Sequence, residues 1–126
     1  MNYKYQCSEC GEYFEISPDL YTCPGCSKKQ GKDEPLKGIL EVAIEGRIGE
    51  EFGVFDFLPV EQIYFPPIPV GNTKLWRPAA IRKKYNFPNL CIKDDGSNPT
   101  GSFKDRASYL VAAFAIKHNI KNIVLA

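Results

Sequence analysis

Four cysteines near the start of the chain have metal-binding spacing. Cys7-Ser8-Glu9-Cys10 and Cys23-Pro24-Gly25-Cys26 are two C-x-x-C knuckles with twelve residues between them. Two tight turns at this spacing can present four thiolates at the corners of a tetrahedron, which suits Zn²⁺, or iron in a rubredoxin-like site. Four protein ligands leave no position open for a substrate, so a metal at Cys7, Cys10, Cys23 and Cys26 is expected to be structural. The plainer alternatives are a redox pair or adventitious disulfides. Gly11 and Gly25 are expected to let backbone approach the sulfurs without a Cβ clash. Lys28 and Lys29 either offset the charge of four thiolates or are simply solvated. Cys91, between Leu90 and Ile92, reads as a small buried apolar residue.

A second chemical candidate is the stretch Ile92-Lys93-Asp94-Asp95-Gly96-Ser97-Asn98-Pro99-Thr100-Gly101-Ser102-Phe103-Lys104-Asp105-Arg106. It lies after a strand-like run and opens a helix-like one, where ligands of open α/β sheets collect. Ser102 is a good N-cap, which puts Lys104 in the first helical turn, where positive charge is disfavoured. That placement has a chemical use. A nucleophilic lysine must be a neutral amine, and at an unperturbed pKa only roughly 1 in 2,500 is neutral at pH 7. The helix terminus, nearby Arg106 and burial behind residues 107–116 are expected to favour the neutral form. Asp105 is the ordinary acid of a first turn and could also hold Arg106. Without further pattern, a lysine in such a turn usually only reaches out to water. Phe103 and Asn98 read as wall and turn residues, and His118 as a surface residue at the helix end.

These groups need elements to position them. Residues 1–45 contain β-like runs at Tyr3–Gln6, Tyr13–Ile16 and Gly38–Ile44, the last alternating apolar residues with Glu41 and Glu45. Ser27–Glu34 reads as a loop. Residues 46–74 form a connecting arm, extended at Phe65-Pro66-Pro67-Ile68-Pro69 and expected to pack through Phe52, Phe55, Phe57, Tyr64 and Phe65. From residue 75 the pattern is α/β, with a helix at Ala79–Tyr85, a strand at Asn89–Lys93, a long helix at Phe103–His118 and a strand at Asn122–Ala126. Strand, helix and strand make one βαβ unit. The final apolar run has no turn or cap after it, and a parallel sheet needs more strands than these. The domain is therefore expected to be truncated.

Composition narrows the function classes. The chain has 126 residues, 44% hydrophobic and 25% charged, with a formal net charge of +1. These are ordinary globular values and offer no bulk electrostatic case for nucleic acid or an anionic membrane. Met1-Asn2-Tyr3-Lys4-Tyr5-Gln6-Cys7 lacks the apolar stretch of a secretory signal, and the apolar window at 107–116 is too short to span a bilayer. A cytoplasmic protein without membrane or nucleic-acid partners is expected. Five cysteines in that setting favour metal chemistry over structural disulfides. A cysteine-bearing segment of this size buries too little surface to fold alone. Metal ligation, on the order of 10–16 kcal/mol in small zinc peptides, is expected to supply the difference.

Asn98-Pro99-Thr100-Gly101-Ser102-Phe103-Lys104-Asp105-Arg106 resembles the cofactor-lysine signature of threonine synthases. These belong to the fold type II, tryptophan-synthase-β-like group of pyridoxal phosphate enzymes. Pro69-Val70-Gly71-Asn72-Thr73 is similar to the family's Gly-x-Thr-Pro-Leu segment, with Lys74 where the family usually has proline. Ile92-Lys93-Asp94-Asp95 resembles its strand before the lysine turn, and many members begin with a cysteine-knuckle region like Cys7 to Cys26. The resemblance implies an α/β fold in which a zinc-ribbon, rubredoxin-like β module (residues 1–45) precedes the start of a pyridoxal phosphate domain (residues 75–126). It implies pyridoxal 5'-phosphate held covalently at Lys104, and conversion of O-phospho-L-homoserine and water to L-threonine and phosphate. The substrate class is a small amino-acid phosphate. The family's later Ser/Thr-Gly-Asn loop and glycine-rich phosphate cradle have no counterpart in these residues, so this chain alone is expected to be inactive.

Two other readings compete. One is another fold type II enzyme, cysteate synthase-like or threonine dehydratase-like, acting on a phosphorylated or hydroxy amino acid. The other is a zinc-ribbon binding module for nucleic acid or protein, which the near-zero net charge disfavours.

Overall fold

The computed structural model describes residues 1–47 and 49–124. The chain divides into two compact units, Met1–Glu61 and Gln62–Ala126. Residues 46–61 of the expected arm thus cluster with the cysteine-bearing unit, and residues 62–74 with the lysine-bearing one.

The first unit is a three-stranded antiparallel sheet in the order β2-β1-β3, built from β1 (Asn2–Cys7), β2 (Tyr13–Phe14) and β3 (Leu40–Glu45). Tyr3 pairs with Ile44, Tyr5 with Val42 and Cys7 with Leu40, so these six residues share one face and Lys4, Gln6, Glu41, Ala43 and Glu45 take the other, although Val42 and Ile44 remain exposed. A single helical turn, α1 (Pro24–Ser27), carries the second knuckle. Its Pro24 at the first helical position costs nothing, because that N–H has no partner within the helix. A 3₁₀ turn at Val54–Phe57 follows the sheet, its Asp56 carboxylate accepting the Gly53 amide at 2.7 Å. The Tyr3 hydroxyl donates to the Asp56 carbonyl at 2.7 Å and ties this turn to β1.

The buried cluster of this unit is made of sulfur. Cys7, Cys23 and Cys26 are 1%, 0% and 8% exposed, and Phe14 and Leu40 pack against them. Of the aromatics expected to anchor the arm, Phe52 and Phe57 meet edge to face at 5.9 Å but remain exposed.

The second unit holds a 3₁₀ turn (Gln62–Tyr64), β4 (Leu75–Trp76), α2 (Ala79–Tyr85), β5 (Ile92–Lys93), a 3₁₀ turn (Asp95–Ser97) and α3 (Asp105–Lys117). α2 spans the expected residues and stops at Asn86, whose left-handed φ of 54° closes its end. α3 ends on a Schellman turn, with Asn119 at φ 55° and the Ile120 amide returning to the Ala115 carbonyl at 2.9 Å. Phe65 stacks at a tilt on Tyr109 of α3, 4.9 Å between centroids, and the Tyr109 hydroxyl donates to the Pro66 carbonyl at 2.7 Å. No helix among the described residues is long and apolar enough to cross a membrane.

Two expectations are corrected here. β5 pairs antiparallel with β4, Leu75 opposite Lys93 and Trp76 opposite Ile92, and not in a parallel βαβ unit with a strand after α3. Residues 122–124 form no strand, while Leu125 and Ala126 lie outside the described residues. A strand exists only through the ladder it makes with a neighbour, and none of the described residues offers one there. The apolar window of α3 is also less buried than its composition suggested. Ala113 and Ala115 are buried, but Val111 and Ile116 are 46% and 54% exposed.

Candidate functional site

The first candidate site is the cysteine cluster. β1 delivers Cys7 as its last residue, and the chain then turns back so that the Gly11 amide reaches the Cys7 carbonyl at 3.0 Å and the Cys7 amide reaches the Glu12 carbonyl at 2.9 Å. α1 delivers Cys26, with Cys23 just before it. The Cys7 and Cys26 sulfurs are 3.8 Å apart, those of Cys10 and Cys23 3.7 Å, and all four lie within 4.8 Å of one another. A tetrahedral Zn²⁺ with sulfur ligands at about 2.3 Å requires sulfurs about 3.8 Å apart, so the four thiols fit the ion. All four are free thiols, Cys7, Cys23 and Cys26 buried and Cys10 exposed.

Local electrostatics match this use. The Cys10 backbone amide, donating to the Cys7 sulfur, contributes most to lowering Cys7 to about 7. Burial, followed by the crowding of the other sulfurs, pushes Cys26 up. Thiolates this close repel, and a divalent cation lets all four ionise together.

The glycine expectations need revision. Gly11 has a φ of +74°, and a Cβ placed on it would meet nothing within 4 Å, so it serves the turn's backbone rather than clearance. A Cβ on Gly25 would make only an ordinary 3.9 Å contact with the Cys23 sulfur. The glycine that matters for packing is Gly38, which sequence reasoning placed only as the start of a strand. Its φ is +75°, and a Cβ there would lie 3.1 Å from both the Cys23 nitrogen and the Cys23 oxygen. The Gly38 carbonyl accepts the Cys23 amide at 2.8 Å, the neighbouring Ile39 carbonyl accepts the Ser8 amide at 3.0 Å, and the Gly38 amide donates to the Glu9 carboxylate at 3.2 Å. One peptide segment therefore supports both knuckles. Lys28 and Lys29 are exposed.

The second candidate site is the lysine turn. Lys104 is exposed and immediately precedes α3, with helical φ −62° and ψ −23°. The regular helix starts two residues later than expected, at Asp105 instead of Phe103, yet the Ser102 hydroxyl does accept the Lys104 amide at 3.2 Å, which is the bond an N-cap makes to its second helical residue. Burial of Lys104 behind α3 is not observed. Its ammonium has no hydrogen-bond or ion-pair partner among the described residues.

The turn's carboxylates divide their work differently from expectation. Asp105 accepts the Thr100 amide at 2.8 Å and the Thr100 hydroxyl, closing the loop just before Lys104. Arg106 instead reaches back to Asp95. Its Nε donates to Asp95 Oδ2 at 3.2 Å and its second nitrogen to Oδ1 at 2.6 Å. This paired hydrogen bonding holds the Asp95 carboxyl below the usual carboxylate range, with the Thr73 hydroxyl adding to the effect. Arg106 is raised by the same contact.

The turn is joined to residues 71–74. The Thr73 hydroxyl donates to Asp95 Oδ1 at 2.9 Å and accepts from Arg106 at 3.1 Å. Asn98, 4% exposed, accepts the Gly71 amide at 2.9 Å and donates to the Asp95 carbonyl at 2.9 Å. Lys93 donates to the Thr73 carbonyl, and the Asp94 amide to the Lys74 carbonyl at 2.9 Å. Lys74, where the family usually has proline, lies over the Trp76 ring at 3.5 Å.

Asn98 was expected to be a turn residue and is, but the roles of Thr73, Asp95 and Arg106 were missed. The only available signal was the nearness of Gly71-Asn72-Thr73 and the lysine string in one resemblance. A pocket of about 230 Å³ lies beside the turn, lined by residues including Pro66, Ile68, Val70, Pro99 and Tyr109. Lys104 does not line it. Cys91 is exposed rather than buried, as are Ile92 and Lys93 of β5 beside it, and its sulfur accepts from Arg82 at 3.4 Å. His118 caps the end of α3 and packs on Phe114, 4.4 Å between centroids.

No family model matches the chain, and no solved structure matches it. Two curated relatives do. Threonine synthase of Methanocaldococcus jannaschii is 30% identical over 116 residues, covering 80% of this chain and 26% of the relative. Threonine synthase of Methanosarcina acetivorans is 28% identical over 129 aligned positions, covering 98% of this chain and 31% of the relative. The chain thus spans between a quarter and a third of the length of the curated relatives it matches. Cysteine knuckles, lysine string and pairwise identity point the same way: this chain is a relative of the threonine synthases.

Proposed function

We propose that this chain carries the cofactor lysine of a pyridoxal phosphate-dependent, threonine synthase-like lyase, with Zn²⁺ as a structural ion in its first unit. The reaction of the whole protein converts O-phospho-L-homoserine and water to L-threonine and phosphate. One observation carries the reading. Lys104 stands in the Asn98–Arg106 string with an exposed amine free of any ion pair among the described residues. An unpaired primary amine is the donor that an aldehyde cofactor needs, so Lys104 fits the group.

Bound there, pyridoxal phosphate supplies an aldehyde for amines and a ring that accepts negative charge developing on the substrate's carbons. Lys104 would hold the cofactor covalently and, as a free base, would move protons at the substrate's Cα and Cβ. Ser102 and Asp105 orient the lysine's backbone through the Lys104 amide and the Thr100 loop. Cys7, Cys10, Cys23 and Cys26 would bind the zinc, and the buried Cys7, Cys23 and Cys26 form the first unit's buried cluster.

The test is reductive trapping. Pyridoxal phosphate and borohydride, followed by peptide mapping, are expected to label Lys104, and Lys104→Ala to abolish that label. Labelling elsewhere with none at Lys104 overturns the reading. Lys104→Ala should leave thermal stability within about 0.5 kcal/mol, because an exposed, unpartnered side chain contributes little. The other fold type II activities, cysteate synthase-like or threonine dehydratase-like, are separated by assaying the full-length protein with O-phosphohomoserine against phosphoserine and threonine.

A further inference from the structure

We propose that Asp95 and Arg106, bridged by Thr73, are positioning residues that set Lys104 for reaction; the proposal rests on the covalent role of Lys104 given above. Asp95 and Arg106 bracket residues 96–105, the loop that contains Lys104. Their two hydrogen bonds, at 2.6 and 3.2 Å, close that loop at its base. Holding both ends of a loop removes conformations in which its reactive residue points away. The guanidinium fork meets the carboxylate on two atoms, which fixes orientation as well as distance.

Thr73 makes the closure three-way. Its hydroxyl gives its proton to Asp95 and its lone pair to Arg106, at 2.9 and 3.1 Å, and it is 9% exposed. The segment that precedes β4 is thereby joined to the base of the lysine loop. Asn98 makes a second, independent tie from inside the loop to Gly71. Arg106 is two residues from Lys104, on the first turn of α3, so the anchored side chain and the amine share one short stretch of backbone.

None of these three residues carries the reacting amine. They act through Lys104, and the experiment must separate that from a general loss of structure. The unsubstituted 126-residue chain and the variants Asp95→Asn, Arg106→Gln, the double substitution, Thr73→Val and Thr73→Ser are each treated with pyridoxal phosphate and borohydride. Peptide mapping then gives the ratio of label at Lys104 to label at Lys117 and Lys121 in the same sample, an internal control that global unfolding moves toward unity.

Asp95→Asn and Arg106→Gln are each expected to lower that ratio about tenfold, with the double variant no worse than either single, because both break one device. Thr73→Val, a mild change, should lower it about threefold and Thr73→Ser should restore it. Ratios unchanged in the single variants, or losses that multiply in the double, overturn the proposal while the Lys104 reading stands. Absence of label at Lys104 in the unsubstituted chain removes that reading, and the proposal with it.

Discussion

The Gly38 carbonyl accepts the Cys23 amide at 2.8 Å, and the same glycine has a φ of +75° and lies so close to Cys23 that a Cβ would crowd its backbone at 3.1 Å. The segment that leads into β3 and the second knuckle are therefore one structural unit. A position that carries no sulfur holds a knuckle cysteine in place.

The consequence is testable by substitution. Gly38→Ala adds a methyl group 3.1 Å from two Cys23 backbone atoms in a left-handed conformation, a combination that costs on the order of 1–3 kcal/mol. Zinc affinity, measured by competition with a chromophoric chelator, is expected to fall by about one to two orders of magnitude. Gly25→Ala, which meets only the Cys23 sulfur at 3.9 Å, should leave it nearly unchanged.

Metal removal should unfold the first unit. Its buried cluster is Cys7, Cys23 and Cys26 with Phe14 and Leu40 against them, too small a core to offset chain entropy without a ligand-bound ion. Metal analysis is expected to find one zinc per chain. Chelation should abolish amide protection in β1 and β3 while α3 keeps its own. Protection that survives complete zinc removal would show that the sheet stands without the metal.

Asn98→Ala should destabilise the second unit by about 1–3 kcal/mol, since it leaves the Gly71 amide without its acceptor at a buried site, while the Asp95 carbonyl keeps the Asn98 backbone amide at 3.4 Å. Asn98→Asp keeps the acceptor for Gly71 and loses the donor to Asp95, so its cost should be intermediate. Urea unfolding of the three proteins, followed by the fluorescence of Trp76, checks the order.

Acidification gives a further readout. The Arg106 guanidinium holds the Asp95 carboxyl below its ordinary value, so the folded state binds the Asp95 proton more weakly than the unfolded chain. The stabilisation is fully present above the unfolded carboxylate value of about 3.9 and is lost as pH falls through the lower folded value. Proteolysis of residues 96–105 by an acid-active protease should accelerate below about pH 4 in the unsubstituted chain. In Asp95→Asn the loop should be cut faster at every pH, without that step.

Local features were readable along the chain because their causes are local. The strand expected at Gly38–Ile44 appears as β3 at Leu40–Glu45, with Leu40, Val42 and Ile44 on one face, and the run at 79–85 became α2 with a left-handed Asn86 after it. The spacing of Cys7, Cys10, Cys23 and Cys26 announced a four-sulfur cluster that the fold does assemble. What failed were readings that depended on neighbours. Cys91 and the apolar face of α3 were expected to be buried on composition alone, but burial is decided by what packs against a residue, and Val111 and Ile116 stay exposed. Strand β5 found an antiparallel partner in β4, which two residues of sequence, Leu75 and Trp76, could not advertise.

By itself the sequence singled out the candidates for chemistry: four thiols at metal-binding spacing, and a lysine in a string that resembles the threonine synthase signature. Residue type and spacing suffice there because ligation and amine chemistry depend on the groups themselves. Only the tertiary structure decided which residues support them. Gly38 sits twelve positions after the last cysteine knuckle, and Asp95, Thr73 and Arg106 meet from three separate segments. Contacts between distant positions leave no periodic or local trace in a single chain, because they exist only once the loops between them have closed.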